Sequence, residues 1–233
     1  MSTHFDTARF GSMTSSRMLT SKPHGMSAAA AASDIGTMRY YDEHATSYAE
    51  ATRAQPLHPT FDSFVKRLKM HGGPVLDLGC GAGRDLRALS QRGLSAVGFD
   101  ASRPLLELAT EFSGCPVIQG DLRAIPFENE MFGGVWASAS LLHLQRGDIP
   151  NVLLEVLRIL QVGGYFFSSI KTGEGEGPDS SARWFTYFHP NEWISLVREA
   201  GFEVIESQAS RQNIGTLGSQ APVAWFDCTA RKP

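Results

Sequence analysis

Residues Val75 to Asp85 read Val-Leu-Asp-Leu-Gly-Cys-Gly-Ala-Gly-Arg-Asp. Val75, Leu76 and Leu78 are apolar and are bounded by Gly72, Gly73 and Pro74 before and by Gly79, Gly81 and Gly83 after. A short apolar run between turn formers predicts a buried strand, here one that empties into a glycine loop. Beyond the loop, Leu86, Leu89 and Ser90 return at helical spacing. Strand, glycine turn and helix make the first βα unit of an open α/β sheet. A ligand can lie directly on such a loop, because glycine has no Cβ to hold it off.

The glycine spacing narrows the ligand. Dinucleotide sites run G-x-G-x-x-G, with the pyrophosphate on the helix N-terminus. Here the run is G-x-G-x-G, and Arg84 occupies the place of the third dinucleotide glycine. Asp77 precedes the turn, where a pyrophosphate site would gain nothing from a carboxylate. The stretch resembles motif I of the class I S-adenosylmethionine (SAM) methyltransferases, D-x-G-x-G-x-G. A glycine turn with no ligand is the competing reading, and the residues downstream weigh against it.

Ala96 to Phe99 is an apolar strand ending at Asp100. An acid about 20 residues beyond the glycine loop is where a Rossmann site holds ribose hydroxyls. Ser102 is a plausible N-cap, with Pro104 in the first turn that follows. Pro116 to Gln119 forms a third strand, and Gly120-Asp121-Leu122 resembles the family's turn whose acid accepts from the adenine amino group while the next residue packs on the ring. Pro126-Phe127 and the run Phe132 to Ala137 resemble the family's approach to strand four, except that Gly133 stands where an Asp is usual. Ser138 to His143 then falls at the carboxyl end of strand four, where open α/β sheets bind ligands.

Asp148 and Pro150 open a helix with Val152, Leu153, Val156, Leu157 and Leu160 on its apolar face. Gly163-Gly164 is expected to end it, and Tyr165 to Ile170 to form strand five. Lys171 to Ser181 is read as a mobile polar loop, and Arg183 to His189 places aromatics beside cations. A helix from Pro190 to Ala200 and a strand pair, Gly201 to Ile205 with Val223 to Cys228, complete the chain. The resemblance spans Tyr40 to Ala230.

Residues Met1 to Ser33 are rich in Ser, Thr, Ala and Met and carry no apolar period, so they are expected to be a disordered leader. Arg9, Arg17 and Lys22, opposed only by Asp6, also admit a targeting segment. A true start at Met26 or Met38 is a further reading. Residues 34–70 are expected to be a helical cap. Tyr41, Ala45, Tyr48 and Thr52 recur at helical spacing, and a second helix after Pro56 and Pro59 carries Phe61, Phe64, Val65 and Leu68. The Tyr-Asp-x-x-Ala-x-x-Tyr pattern from Tyr41 to Tyr48 resembles the segment that covers the SAM pocket in many small methyltransferases. Residues 71–233 form the SAM-binding domain.

Of the 233 residues, about 200 remain after the leader, enough for one α/β domain with a full core. The formal charge of −3 favours neither nucleic acid nor anionic membrane as a partner. No apolar run approaches the roughly 18 residues of a membrane span. Cys80, Cys115 and Cys228 are far apart and form no metal-ligand spacing, which suggests a reducing, cytoplasmic setting.

The resemblance implies a Rossmann-like class I methyltransferase fold, with a seven-stranded, mostly parallel sheet, helices on both faces and the N-terminal helical cap. It implies SAM as cofactor and S-adenosylhomocysteine as product, bound by Tyr48, Arg53, Asp77, Gly79, Gly81, Gly83, Asp100, Ala101, Asp121, Leu122 and Ser138. Methyl transfer is an in-line displacement, so the protein must align the acceptor and exclude water. No metal is needed. His143 is the leading candidate for a general base, His189 the next, and Lys171 after them; each can equally be a packing residue. Tyr40, Tyr41, Leu142, Trp184 and Tyr187 are candidates for the acceptor pocket, or else core of a lid. The expected acceptor is a small molecule methylated at N or O, and the expected state a monomer or homodimer. Methylation of tRNA or protein, and a silent SAM-fold binding protein, are the alternatives. A nicotinamide dehydrogenase is disfavoured by Arg84.

Overall fold

The structure, a computed structural model, describes residues 28–212 and 223–233. The leader expected over residues 1–33 lies outside them up to residue 27. Chain order is α1 (Ala28–Glu43), α2 (Ala45–Arg53), α3 (Phe61–His71), β1 (Val75–Leu78), α4 (Arg84–Gln91), β2 (Ala96–Asp100), α5 (Arg103–Ser113), β3 (Val117–Gln119), β4 (Phe132–Ser138), a 3₁₀ turn (Leu141–His143), α6 (Ile149–Ile159), β5 (Leu160–Lys171), β6 (Glu176–Pro178), β7 (Trp184–Thr186), α7 (Pro190–Glu199), β8 (Glu203–Gln212) and β9 (Val223–Arg231). The first helix begins at Ala28, so the alanine run enters the cap rather than the leader.

Seven strands form one sheet in the order β3-β2-β1-β4-β5-β9-β8. The pairs from β3 through β5 are parallel, and β9 runs antiparallel to both its neighbours. This is a Rossmann-like sheet covered on both faces. Alternation along the strands builds the two cores. Leu76, Val97, Val135 and Phe166 join a layer with Val152 and Val156 of α6 and Trp193 of α7. Val75, Ala96, Trp136 and Phe167 point the other way, onto Phe61, Phe64 and Leu68 of α3 and Leu86 and Leu89 of α4.

Local chemistry sets the element ends near the site. The Ser102 hydroxyl accepts from Leu105 N and caps α5, as its type and the following Pro104 predict. The same hydroxyl donates to Asp42 Oδ1 at 2.6 Å, which pins α1 to the start of α5.

Two expectations need correction, and one departure from the family pattern finds its reason. First, α6 ends at Ile159 and β5 runs through both glycines, with a register shift between the Phe132–Leu160 and Gly134–Tyr165 pairs. Gly163 supplies the left-handed φ of +80° at that irregularity, so the pair bends a strand instead of ending a helix. Second, residues 171–181 are not a structureless loop: β6 pairs with β7 as a short antiparallel ribbon. Third, Gly133 is required by packing, since a Cβ there would lie 2.0 Å from the Gly72 carbonyl oxygen. No Asp could occupy it beside this turn.

Candidate functional site

A cavity of about 610 Å³ opens at the carboxyl edge of β1, β2 and β4, within the range of small-ligand and cofactor sites. Its floor is Gly79 and Gly81, one end is Gln119 to Arg123, and its roof is Thr37, Met38 and Tyr41 of α1 with His143 and Leu144. A small annex of about 60 Å³ shares Tyr48, Gly79, Gly81 and Ala139 with it and adds Thr52, Asp77, Arg84, Asp85 and Ser138.

The three loop glycines do different work. A Cβ on Gly79 would meet Ser140 Cβ at 2.2 Å, and one on Gly83 would meet Ala109 Cα at 2.9 Å. Both therefore serve close packing within the fold, the second by letting α4 approach α5. A Cβ on Gly81 would meet only the Tyr48 ring, at 3.5 Å. Gly81 is thus the glycine that leaves its backbone open to a ligand.

Asp100 stands at the centre. Its Oδ2 accepts from Gly81 N at 2.9 Å and its Oδ1 from Ser102 N at 2.9 Å. Burial raises its pKa, against the pull of these backbone donors. Each oxygen keeps lone-pair capacity toward the cavity that its neighbours define. Ala101, Leu105 and Leu122 supply apolar lining beside it. At the far end Asp121 is gripped by Arg123 at 2.9 and 2.7 Å; burial would raise its carboxyl, but the guanidinium holds it below its ordinary value.

The annex collects acids. Asp77 is buried, and its Oδ2 has no hydrogen-bond partner. Burial first, and the neighbouring Asp85 second, push its pKa well up. Asp85 is itself held by Arg84 at 2.7 Å and by the Trp136 indole N–H at 2.9 Å. An orphaned carboxylate oxygen in a small polar pocket is a place for a cationic or N–H-bearing ligand group.

His143 forms the wall opposite. Its Nδ1 lies 2.7 Å from the Trp184 carbonyl oxygen, so this nitrogen carries the proton and donates. Nε2 is then an acceptor and takes the Tyr41 hydroxyl at 2.9 Å. Burial pushes the His143 pKa down to about 4, against the pull of the Trp184 carbonyl. The ring is neutral at pH 7.

Most of the expected residues converge. Tyr41, Tyr48, Gly79, Gly81, Asp100, Ala101, Asp121, Leu122 and His143 line the cavity, and Asp77 and Ser138 line the annex. Others do not. Arg53 donates to the Ala82 and Leu108 carbonyls and stacks on Phe112, tying α2 to α5. Tyr40 stacks on His44 and under Arg183. Leu142 packs with Phe185 and Trp225 behind the cavity, with Tyr187 against that cluster. Trp184 contributes its backbone alone to this site: its carbonyl orients His143 and its N–H donates to Thr37 Oγ1. His189 caps α7 on the surface and faces Glu174 at 3.5 Å. Of the aromatics and histidine in 184–189, Phe185 and Phe188 are core, Trp184 and Tyr187 are half-buried, and His189 is exposed.

The sequence reading missed Thr37, Met38, Leu105, Gln119 and Arg123 as lining, and Asp85 in the annex. Asp85 carried a signal, since it directly follows Arg84 at the start of α4. Thr37 and Met38 carried none, because their place depends on α1 meeting β7. Among the described residues, no group of three or more His, Cys, Asp or Glu could hold a metal ion, and no helix is long and apolar enough to cross a membrane.

Residues 75–164 match the family model described as "Methyltransferase domain". An uncharacterised protein of Methanocaldococcus jannaschii is 28% identical over 136 residues, 58% of this chain and 52% of that one. An O-methyltransferase of Penicillium expansum is 28% identical over 165 residues, 64% of this chain and 59% of that one. The chain thus spans between half and three-fifths of the length of these relatives. Among solved structures, the Burkholderia thailandensis 1,6-didemethyltoxoflavin N1-methyltransferase, with its acceptor and S-adenosylhomocysteine bound, superposes with a TM-score of 0.68 at 20% identity, covering 89% of this chain and 92% of that one. That likeness is one of fold.

Proposed function

We propose that the chain is an SAM-dependent methyltransferase acting on a small organic acceptor at oxygen or nitrogen. The observation that carries the reading is Asp100: a buried carboxylate fixed by Gly81 N and Ser102 N beside the one glycine that leaves a ligand face open. Dinucleotide enzymes share such an acid. Here it is accompanied by the annex and its orphaned Asp77 oxygen, which suits the ammonium of a methionine moiety and not a pyrophosphate.

The residues present fit SAM. Asp100 would hold the ribose hydroxyls, Ala101, Leu105 and Leu122 the faces of the adenine, Asp121 its amino edge, and Asp77 with Tyr48 the amino-acid end. Bound SAM supplies a methyl group on a cationic sulfonium, whose charge disappears on transfer. The rest of the work falls to the chain: to hold an acceptor atom in line and to keep water out. Tyr41 and His143 suit that role. His143 is neutral, and its Nε2 holds the Tyr41 hydroxyl, whose oxygen can accept a hydrogen bond from an acceptor O–H or N–H. This favours positioning over proton removal.

A small acceptor is supported by the roof. A Cβ on Gly36 would meet the Ala182 carbonyl at 2.4 Å, so α1 sits directly against the segment leading into β7, and Thr37 Oγ1 accepts from Trp184 N at 2.8 Å. These contacts hold α1 along one side of the cavity, which favours a small acceptor over a macromolecule. Calorimetric titration with S-adenosylhomocysteine tests the cofactor, and methyl transfer to a panel of phenols and aromatic N–H heterocycles tests the acceptor. No binding to the wild-type chain would end the reading.

A further inference from the structure

Lys171, at the end of β5, is only 5% exposed, and Trp225 only 3%. The two are directly opposite each other in the β5–β9 register, so they share one face of the sheet. The Lys171 ammonium lies 3.6 Å from the Phe185 ring centre and 5.9 Å from that of Trp225, and among the described residues no carboxylate pairs with it. The Trp225 indole N–H is buried with no hydrogen-bond partner among the described residues. A buried orphan N–H beside an ammonium held by aromatic faces is costly unless something accepts from it.

The nearby acids are already committed. Asp179 accepts from Arg183 at 3.0 and 2.7 Å. Asp227, the next residue on that face of β9, takes His58 at 3.1 Å and the more distant Gln208 and Ser210. Arg183 is neutralised by its partner, whereas no carboxylate among the described residues pairs with Lys171. The remaining surroundings are Leu142, Phe185 and Tyr187. A single positive charge in an aromatic setting matches a monoanion on an apolar body, not a phosphate dianion.

We propose that Lys171 and Trp225 bind the carboxylate of a small aromatic acid. Phe185 connects this place to the cavity: its ring centre is 4.8 Å from that of His143, and the Lys171 charge is one of the influences felt by His143. The ligand is therefore the methyl acceptor, held by its carboxylate at Lys171 with its reacting end toward His143. That last step rests on the methyl-transfer reading; the anion site does not.

Sodium benzoate is the probe, titrated calorimetrically into the full chain saturated with S-adenosylhomocysteine, with benzamide as the neutral isostere at matched ionic strength. Benzoate should bind at least about ten-fold more tightly than benzamide, and Lys171→Met should remove that preference. Trp225→Phe, which deletes only the N–H, should weaken benzoate by about three-fold or more. Because an unpaired buried charge destabilises the fold, Lys171→Met should also raise the thermal midpoint, by roughly 2–4 °C. Equal affinity for benzoate and benzamide, no benzoate binding, or a lower midpoint in Lys171→Met would each overturn the proposal. If the wild type binds benzoate but not S-adenosylhomocysteine when each is titrated alone, the anion site stands and the methyl-transfer reading falls.

Discussion

The two ends of the cavity are built by different means. The Asp100 end comes from consecutive strands and turns: Gly81 and Asp100, joined by a 2.9 Å bond, are 19 residues apart, and Asp100 and Ser102 are two apart. The His143 end comes from distant parts of the chain: Tyr41 and His143 are 102 residues apart, and Thr37 and Trp184 are 147 apart. The first end uses backbone donors and one carboxylate, so its geometry is set once β1 and β2 pair. The second depends on α1, the 3₁₀ turn and the β6–β7 ribbon all docking together. Substitutions at the first should therefore act on cofactor binding, and those at the second on acceptor turnover.

Asp100→Ala should produce the largest effect. It removes two charge-assisted bonds to a ribose, a loss of roughly 3 kcal/mol or about a hundred-fold in S-adenosylhomocysteine affinity by calorimetry. Asp100→Asn, which keeps one oxygen for Gly81 N or Ser102 N, should fold normally and still lose about ten-fold. An unchanged affinity in both would remove Asp100 from the cofactor end.

The glycines split the same end into fold and ligand. Gly79→Ala places a Cβ against Ser140 at a φ of +80°, and should cost roughly 2–4 kcal/mol of stability in urea unfolding. Gly81→Ala has room beside Tyr48 and should cost only about 1 kcal/mol of stability, from its left-handed φ, while losing cofactor affinity. A reversed order would mean that Gly79, not Gly81, faces the ligand.

At the other end, Tyr41→Phe deletes the hydroxyl that meets His143 Nε2. It should lower acceptor kcat/KM by about ten-fold with cofactor affinity unchanged. Trp184→Ala should lower it by less than about three-fold, because the site uses the Trp184 backbone and the substitution leaves that in place. A larger loss from Trp184→Ala than from Tyr41→Phe would show that the indole reaches the acceptor.

This contrast also explains what could be read from the amino acids alone. The strand, glycine loop and acid at Val75 to Asp100 are local and repeat a fixed spacing, and Gly81, Asp100 and Asp121, the candidates that this spacing offers, all line the cavity. Their division of labour was not legible, since nothing in G-x-G-x-G says that Gly79 packs on Ser140 and Gly83 on Ala109. Aromatic residues near the late ribbon looked like pocket walls because aromatic type alone does not distinguish a pocket from a core. The docking of the β6–β7 ribbon decides it, burying Phe185 and Thr186 and leaving Trp184 half-buried. Arg53 is ambiguous for a similar reason: a cation after a Tyr motif can face a ligand or bind two carbonyls, and its guanidinium binds those of Ala82 and Leu108.

The smallest expected effect is a flat line, and it tests whether His143 stays neutral through the working range. Burial depresses its pKa from 6.5 to about 4 in the folded chain. Between pH 6.5 and 4 the unfolded chain takes up a proton that the folded chain refuses, so stability falls as pH falls through that window. Above pH 6.5 both states are neutral at this residue and His143 contributes no slope. An acceptor's own ionisation would bend the pH profile of either enzyme, so the ratio of wild type to His143→Gln is the quantity to follow. If His143 stays neutral and positions the acceptor by holding the Tyr41 hydroxyl at Nε2, that ratio is constant from pH 6.5 to 9. A ratio that rises with pH in this range would mean that the ring titrates near neutrality in the working enzyme, as a general base with an ordinary pKa would.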